Sequence, residues 1–287
     1  MSLKIGITGA SGVLGSELKK RIKKNLSIFK GDITKKKDVY DWVKKHKFKS
    51  IFHFAAVVPI KEFNKSLKKS FKVNSIGTKY LADAIIKFQS KKIWFFYSST
   101  SHVYKLNYQS IKTKETDKCN PQSLYGSSKR EAEKYIIKKF SKNNYQFLIG
   151  RIFSFTHKNQ KKTFFVPSLI KKLLKFKKNR INKIDNIDHY RDFLTTKDII
   201  NAILFLKTKK KTGIFNIGSG HKLHLVDIIN HLNKFTKKNI KIAKNTKRTY
   251  LIANITKLKK SGWKQKYIFF SELTDIFKYK ILNKNYN

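Results

Sequence analysis

The chain has 287 residues, of which 40% are hydrophobic, so it can bury a core and is not a disordered chain. Its formal net charge is +49, yet only six of its 66 basic residues are arginine, and lysine, asparagine, isoleucine, phenylalanine and tyrosine fill more than half of it. That bias is typical of an AT-rich genome. A single cysteine, Cys119, excludes an internal disulfide and a thiolate metal cluster, and no metal site is predicted.

The basic residues are spread along the whole chain, and no nucleic-acid-binding motif accompanies them. The charge therefore indicates a solvated, lysine-rich surface with no specific nucleic-acid partner. Residues Leu3–Ile7 run directly into a glycine-rich turn, which is unlike a signal peptide. The longest apolar stretch, Ile51–Ile60, contains His53 and is too short to span a bilayer. We expect a cytoplasmic protein without a membrane span.

Strand-like and helical segments alternate through residues 1–155, which is typical of a doubly wound parallel sheet of the Rossmann-like α/β class. The predicted strands are Leu3–Thr8, Leu26–Phe29, Ile51–Val57, Ile93–Ser98 and Gln146–Phe153. The predicted helices are Val13–Lys24, Lys37–Lys45, Val73–Phe88 and Tyr125–Phe140. We expect this part to form one domain around the sheet.

The remaining residues, 156–287, follow a looser order and indicate a smaller C-terminal domain. The predicted elements are helices at Phe164–Phe176, Lys197–Leu206 and Leu225–Phe235, a strand at Gly213–Ile217, and helix-prone tail segments at Ile252–Trp263 and Phe269–Phe277. We expect residues 197–218 to return to the main sheet.

The turn between the first predicted strand and helix reads Gly9-Ala10-Ser11-Gly12-Val13-Leu14-Gly15. In such a turn the first glycine allows a tight bend, the second lets the backbone approach a pyrophosphate, and the third permits close packing. The helix N-terminus then supplies N–H groups and positive potential. This context favours a dinucleotide site over an ordinary tight loop. The predicted contacts are Gly9, Ser11, Gly12, Val13, Leu14 and Gly15.

Tyr125 and Lys129 are four positions apart and share one face of a predicted helix. Because a buried ammonium beside a phenol stabilises the phenolate, we expect the pKa of Tyr125 to fall from about 10 toward the working range. The phenol would then act as a general acid or base, and Lys129 would hold the nicotinamide ribose. The alternative is chance spacing on a surface helix.

Three hydroxyl residues, Ser98, Ser99 and Thr100, close the strand that precedes this helix, where α/β sheets present functional groups. The hydroxyl of Thr100 can polarise a carbonyl or alcohol oxygen. The alternative is a hydroxyl that caps the following turn.

In their order along the chain these motifs resemble the extended short-chain dehydrogenase/reductase family, within it the NAD-dependent epimerase/dehydratase group that acts on nucleotide sugars. The most specific stretch is Pro121-x-Ser123-x-Tyr125-Gly126-x-Ser128-Lys129-x-x-x-Glu133. The other matching segments are Gly31-Asp32-Ile33, Ile51–Ala56, Val73–Thr78, Phe96–Thr100 with Val103-Tyr104, Arg191-Asp192-Phe193, Phe215–Gly218 and Lys260–Trp263. The likeness covers nearly the whole chain.

The resemblance implies NAD or NADP as cofactor and a nucleoside-diphosphate sugar as substrate, and a homodimer is compatible with it. It implies Tyr125 as the acid/base, Lys129 as its partner and Thr100 as the hydroxyl at the reacting oxygen. Residues 1–155 would bind the cofactor and residues 156–287 mostly the substrate. Further cofactor contacts are predicted for Asp32, Ile33, Ala55, Ala56, Asn74 and Ser98.

Arg191 and Arg248 are implied to bind the diphosphate of the substrate, and Ser154 stands where many members contact substrate with asparagine. The scarcity of arginine supports this role, because lysine cannot reproduce the bidentate recognition of phosphate. The alternative for Arg191 is a surface ion pair with Asp192 or Asp188.

The chain departs from typical members before Gly31, where an additional strand and helix are missing. We predict that Leu26–Phe29 fills the second-strand site beside the first strand, because a right-handed crossover places it there. Asp32, 17 positions after Gly15 and near the usual spacing of roughly 20, would then accept the ribose hydroxyls. This favours NAD, although Lys35–Lys37 could bind the 2′-phosphate of NADP.

Ser101 and His102 follow Thr100 at the places where nucleotide-sugar dehydratases of this group usually carry Asp and Glu. Dehydration at C4 and C6 is therefore disfavoured. The leading hypothesis is a nucleotide-sugar epimerase, and the alternative is an NAD(P)H-dependent keto-sugar reductase. A hypothesis of another class is a catalytically inactive NAD(P)-binding regulator or nucleic-acid-binding protein, against which the presence of Tyr125, Lys129 and Thr100 argues.

Overall fold

The structure of the protein is a computed structural model. It describes residues 3–22, 24–58, 63–244 and 247–282. Three residues of the predicted segments lie outside the described residues: Lys23 in the first helix, and Pro59 and Ile60 at the end of the longest apolar stretch.

The strands, numbered in chain order, are β1 Lys4–Thr8, β2 Leu26–Ile28, β3 Phe48–His53, β4 Trp94–Thr100, β5 Lys112–Thr113, β6 Gln146–Ile152, β7 Asn182–Ile184, β8 Tyr190–Arg191, β9 Gly213–Ile217, β10 Leu223–His224, β11 Ile240–Ile242 and β12 Tyr250–Ala253. The α-helices are α1 Val13–Arg21, α2 Lys36–Lys45, α3 Leu67–Phe71, α4 Gly77–Phe88, α5 Leu124–Lys142, α6 Phe165–Lys175, α7 Thr196–Thr208, α8 Leu225–Thr236, α9 Thr256–Lys260 and α10 Phe269–Leu282. A π-helical turn, Lys72–Ile76, joins α3 to α4, and a 3-10 turn, Ser101–Val103, follows β4.

The chain divides into two compact units. The first contains Met1–Lys105, Glu115–Ile152 and Ile200–Ile217, and the second contains Leu106–Lys114, Phe153–Ile199 and Gly218–Asn287. Each unit has its own cluster of buried apolar side chains.

The first unit is built on a parallel sheet with the strand order β2-β1-β3-β4-β6-β9. This confirms the predicted α/β class with a doubly wound parallel sheet. Ile5 of β1 is paired with Leu26 of β2, and Ile7 with Ile28. The second-strand position is therefore filled by the segment that the sequence assigned to it, without the strand–helix unit of typical members. Strand β9 adds to the far edge, where Ile149 of β6 is paired with Ile214.

The central strands of this sheet are apolar because both of their faces are covered. In β4, Phe95 and Phe96 point to opposite faces and both are fully buried. The helices present apolar stripes to the sheet: in α2, Val39 and Val43 lie one turn apart and are fully buried, while the lysines at both ends of the helix remain exposed. The sheet therefore has a dry interior, and its functional groups come from the strand ends.

The second unit contains a small mixed sheet with the order β10-β8-β12-β5 and a two-stranded parallel pair of β11 with β7. Helices α6, α8 and α10 supply most of its buried apolar cluster, including Leu173, Leu232 and Leu273, which are fully buried. Among the described residues no helix is both long enough and apolar enough to cross a membrane.

Two predicted segments differ from the structure. The helix predicted from Val73 begins earlier, at Leu67, and is interrupted by the π-helical turn before α4. The helix-prone segment Ile252–Trp263 begins instead in strand β12, and only Thr256–Lys260 is helical. Ile252 is almost fully buried and is paired with Lys112 of β5, so tertiary packing overrides the local helix propensity.

The packing of the glycine turn makes its three glycines unequal. A Cβ on Gly15 would press against the carbonyl oxygen of Gly9 and lie 2.9 Å from the Ala10 Cα, both backbone atoms, whereas a Cβ on Gly12 would meet only the Gly9 oxygen at 3.4 Å. We expect Gly15→Ala to lower the free energy of unfolding by about 1–3 kcal/mol. The matched control, Gly12→Ala, should cost less than about 1 kcal/mol, as a poorer N-cap residue does. Urea unfolding measures both, and an equal or larger loss for Gly12→Ala contradicts this packing.

Candidate active site

The glycine turn forms an open cradle at the carboxyl end of β1. Gly9 has a φ of +70°, and a Cβ there would lie 2.5 Å from the backbone nitrogen of Ala55, so the turn and the loop after β3 are in close contact. Gly12 is the N-cap of α1, whose first turn contains no acidic residue. The unpaired N–H groups and the positive end of the helix dipole are therefore available to an anion.

Asp32 is held as an exposed carboxylate after β2. Its Oδ1 accepts hydrogen bonds of 2.8 Å from both the backbone nitrogen and the hydroxyl of Thr34. These bonds lower the pKa of Asp32 below its ordinary value, so the group is ionised at neutral pH. The next residue, Ile33, is buried against Gly77 at the start of α4. This arrangement leaves an acceptor at the position predicted to bind ribose.

Asn74, in the π-helical turn, links the loop after β3 to α5. Its Oδ1 accepts a 2.7 Å bond from the backbone nitrogen of Val57, and its Nδ2 donates to the Val57 carbonyl at 3.2 Å and to the Ser128 hydroxyl at 3.3 Å. The side chain is fully buried. The amide therefore fixes the chain next to Ala55 and Ala56, which are partly exposed beside the cradle.

Thr100 and Tyr125 meet at the carboxyl edge of the sheet. Tyr125 is 9% exposed and Thr100 is 6% exposed, and the Thr100 hydroxyl lies close enough to the phenol to lower its pKa. The Thr100 hydroxyl also accepts a 3.2 Å bond from the backbone nitrogen of His102. The capping alternative is thus present as well, and it fixes the hydroxyl beside the phenol.

The first turn of α5 allows this approach because it begins with a cap and a glycine. The Ser123 hydroxyl accepts a 3.1 Å bond from the nitrogen of Gly126, and a Cβ on Gly126 would press against the carbonyl oxygen of His102. The Tyr125 ring then packs edge-on against Phe63 and His102. Ser98, before the two buried hydroxyl residues of β4, is partly exposed.

The expected lowering of the phenol pKa is wrong in this structure. Burial raises the pKa of Tyr125 to about 12, and the hydrogen bond with Thr100 opposes that rise only in part. The reason is that burial removes the phenolate from water, and this desolvation outweighs the interaction with the Thr100 hydroxyl. Tyr125 is therefore a neutral proton donor at pH 7.

Lys129 lies one turn after Tyr125 and is 2% exposed. Its Nζ is 4.4 Å from the centroid of the Tyr97 ring in β4. Burial lowers the pKa of Lys129 to about 7, although the nearby carboxylate of Glu133 raises it. The ammonium is therefore poised between its two protonation states near neutral pH.

A buried hydrogen-bond network around Glu133, one helical turn after Lys129, was not predicted from the sequence. Glu133 does belong to the motif quoted above, but no role was assigned to it. Glu133 is fully buried and accepts bonds from Arg151 through Nε at 3.0 Å and Nη2 at 2.9 Å. It also accepts a 2.5 Å bond from the hydroxyl of Ser99. Arg151 donates further to the Tyr104 hydroxyl at 2.8 Å. The four-residue spacing from Lys129 was the available signal, because it places Glu133 on the same helix face.

Arg191 and Arg248, predicted to bind a diphosphate, belong to the second unit. Arg191 donates through Nη1 to the carbonyls of Tyr190 at 2.7 Å and Thr249 at 3.0 Å. Burial lowers its pKa to about 10. Within the part of the chain that the structure describes, Arg191 forms no ion pair with Asp188 or Asp192. Asp192 is instead fully buried, and its carboxylate accepts bonds from the backbone of Ser219, Gly220 and Ala253.

Arg248 is half-exposed and pairs with Asp188. Its Nε lies 2.9 Å from Oδ1 and 3.0 Å from Oδ2 of that carboxylate, and His224 approaches the same Oδ1 at 2.8 Å. The two terminal nitrogens of Arg248 make no hydrogen bond within the described part of the chain. Ser154, the further predicted substrate contact, lies beside the segment that follows Arg191: its backbone nitrogen donates to the Asp192 carbonyl at 2.9 Å, and its carbonyl accepts from Leu194 at 3.0 Å.

Comparison with known proteins shows which family the chain resembles. Residues 7–275 match the protein family described as GDP-mannose 4,6 dehydratase. A dTDP-4-dehydrorhamnose reductase of Aggregatibacter actinomycetemcomitans is 33% identical over 138 residues. This match covers only 46% of this chain and 46% of that relative. A UDP-glucose 4-epimerase of Mycoplasma genitalium is 30% identical over 241 residues, which is 74% of this chain and 69% of that protein.

A solved structure shares the fold over nearly the whole length. The structure of RMD from Pseudomonas aeruginosa complexed with NADPH has a TM-score of 0.83 and 21% sequence identity, and the match covers 97% of this chain and 99% of that one. At this identity the likeness concerns the fold.

The buried ammonium generates a testable dependence of stability on pH. The pKa of Lys129 is about 7 in the fold against an ordinary 10.5, so the unfolded chain holds more protons between these values. The stability contributed at this site therefore rises as the pH rises from about 7 to 10.5. We expect Lys129→Met to raise the free energy of unfolding at pH 7, and we expect its advantage over the wild type to shrink toward pH 10.

Urea unfolding at several pH values measures this advantage. Lys134→Met, on the exposed face of the same helix, is the matched control for loss of a lysine. An advantage of Lys129→Met that grows with pH, or that equals the control at every pH, contradicts the burial of the ammonium.

Proposed function

The chain belongs to the extended short-chain dehydrogenase/reductase family, in the group described as GDP-mannose 4,6 dehydratase, and we propose that it is a nucleotide-sugar epimerase. It is an NAD(P)-dependent enzyme that acts by oxidation and reduction at a sugar carbon of a nucleoside-diphosphate sugar. One observation carries the proposal: the buried phenol of Tyr125 interacts with the buried hydroxyl of Thr100 and shares a helix face with Lys129.

The residues of the first unit fit a dinucleotide. Gly12 leaves room for a pyrophosphate, since a Cβ there would meet only the Gly9 oxygen at 3.4 Å, and α1 offers its unpaired N–H groups beside it. Asp32 offers an ionised carboxylate to the ribose hydroxyls, which favours NAD over NADP because a 2′-phosphate would be repelled. Lys35–Lys37 leave NADP as the alternative. The nicotinamide, when bound, exchanges a hydride with the sugar carbon.

Tyr125 and Thr100 would handle the proton that accompanies this exchange. The phenol is protonated at neutral pH because burial raises its pKa to about 12, so it can donate to a carbonyl oxygen. In the oxidative direction the same group receives the proton of the sugar hydroxyl. The Thr100 hydroxyl, which is buried beside the phenol, would orient the reacting oxygen toward Tyr125. Lys129 would stabilise the phenolate form and bind ribose hydroxyls with its N–H groups.

The alternative activity is that of an NAD(P)H-dependent keto-sugar reductase. The high pKa of Tyr125 favours it, because a reductase needs the phenol only as a proton donor. Dehydration at C4 and C6 is not proposed, since Ser101 and His102 follow Thr100 and neither is the carboxylic acid or carboxylate that water loss would require.

For the diphosphate of the substrate we assign Arg191 and Arg248, with Ser154 as a further substrate contact. Arg248 uses its Nε edge on Asp188 and presents its terminal nitrogens, the geometry that suits a bidentate phosphate. A cytoplasmic location and a homodimer complete the proposal.

A panel of UDP-, GDP- and dTDP-sugars, each incubated with and without NAD(P)H, tests the function. An epimerase converts one sugar into its epimer while the cofactor is retained and not consumed. Stoichiometric oxidation of NAD(P)H with a keto sugar identifies the reductase instead. The proposal fails if no nucleotide sugar is turned over and the protein binds a specific nucleic-acid sequence even at high salt.

Tyr125→Phe removes only the proposed proton carrier. We expect turnover to fall by about 10²–10⁴-fold while cofactor affinity changes little, because general acid–base groups contribute in that range. Tyr135→Phe on the same helix is the matched control, since its hydroxyl bonds the surface carboxylate of Asp83 at 2.7 Å. Steady-state kinetics and cofactor titration separate the two effects. Equal activity of both variants would remove Tyr125 from the mechanism.

A further inference from the structure

We propose that Tyr97 is a positioning residue for Lys129. Its ring face holds the ammonium of Lys129 at the place where the lysine acts. The reaction it serves is the one proposed above, so this inference rests on that function. The contact itself exists without substrate or cofactor, and one of its tests needs neither.

The contact between the two side chains is close and dry. The Nζ of Lys129 lies 4.4 Å from the centroid of the Tyr97 ring, well within the roughly 6 Å over which a ring face attracts a cation. Tyr97 is fully buried, and Lys129 is 2% exposed. Water screens the attraction little at such a position, so it is stronger there than on a surface.

No other protein group takes the place of the ring. Within residues 3–22, 24–58, 63–244 and 247–282, the ammonium of Lys129 makes no hydrogen bond and no ion pair. The carboxylate of Glu133 forms its ion pairs with Arg151 and Arg130. It attracts the ammonium of Lys129 only from beyond ion-pair distance. His53 is the other buried titratable group that interacts with Lys129, and burial together with Lys129 lowers its pKa to about 3, so it stays neutral.

The ring is fixed by the strand on which it stands. Tyr97 lies in the middle of β4, where Ile149 of β6 and His53 of β3 are its paired neighbours, and its ring contacts the imidazole of His53 at 5.6 Å between centroids. Burial raises the pKa of Tyr97 well above its ordinary value, so the ring remains a neutral phenol. A cation held on a ring face keeps its N–H groups for other partners. Lys129 can therefore be positioned and still donate to a ribose or a phenolate.

Substitution at Tyr97 tests this role against simple packing. Tyr97→Leu removes the ring, and we expect kcat/KM to fall about 3- to 30-fold, the range that a partly desolvated cation–π contact supplies. Tyr97→Phe keeps the ring and should rescue most of that loss. Phe95→Leu is the matched control, because Phe95 is a fully buried ring on the same face of β4 and touches no proposed catalytic group. Its activity should stay within about 2-fold of wild type.

A double-mutant cycle on stability decides the contact without turnover. At pH 6, where Lys129 is charged, Tyr97→Leu should lower the urea midpoint more in the wild type than in a Lys129→Met background. Phe95→Leu should lower it equally in both. Where Tyr97→Leu does not fold, phenylalanine and 3,4,5-trifluorophenylalanine at position 97 keep the shape and differ in ring charge. The fluorinated ring should then give a lower urea midpoint than phenylalanine only when Lys129 is present.

The outcomes separate this inference from the proposed function. An additive cycle, or a Tyr97→Leu enzyme as active as Phe95→Leu, overturns the positioning role even if nucleotide sugars are converted. A non-additive cycle in a protein that turns over no nucleotide sugar supports the positioning of the ammonium and overturns the function.

Discussion

One buried carboxylate, that of Glu133, holds the proposed catalytic helix against the sheet. It sits in α5 one turn beyond Lys129 and receives the fork of Arg151 from β6 and the hydroxyl of Ser99 from β4. Removing one partner of such a buried pair costs about 3–5 kcal/mol, because the other charge is left unpaired. The position of α5 relative to the strand ends, and therefore the meeting of Tyr125 with Thr100, depends on this ion pair.

The chain uses arginine where geometry demands it and lysine where only charge is needed. Arg151 is 1% exposed and makes a planar, two-point contact with Glu133 that a lysine could not reproduce. Arg191 likewise donates through one terminal nitrogen, Nη1, to two backbone carbonyls in a half-buried site. Most lysines, in contrast, lie on the surface, which fits a compositional bias more than a binding site. Among the described lysines, Lys129 stands apart, because it is buried and its charge is part of the proposed chemistry.

The architecture could be read from the sequence because its signals are local. Alternating segments predicted the parallel sheet, and the glycine turn predicted a cradle that the packing of Gly9 and Gly15 reproduces. The Arg151–Glu133 network could not be predicted, since its partners are distant in sequence and only the folded sheet brings them together. Ile252 was predicted to be helical from its local sequence, whereas it lies in a strand, because its pairing with β5 is a non-local contact that local propensity does not show. The pKa of Tyr125 also depends on how deeply the fold buries the phenol. The sequence therefore predicted a lowered pKa, whereas burial raises it.

The site gains its chemistry from dry surroundings and fixed neighbours. The Thr100 hydroxyl lies beside the phenol of Tyr125, and the ammonium of Lys129 lies over the ring of Tyr97. The most direct measurement is a crystal structure of the protein with NAD(P) and the nucleotide sugar that it converts. The account predicts that Tyr125 Oη and Thr100 Oγ1 both lie about 2.6–3.2 Å from one sugar oxygen. A reacting oxygen bound by other groups, with Tyr125 turned away from it, would contradict the account.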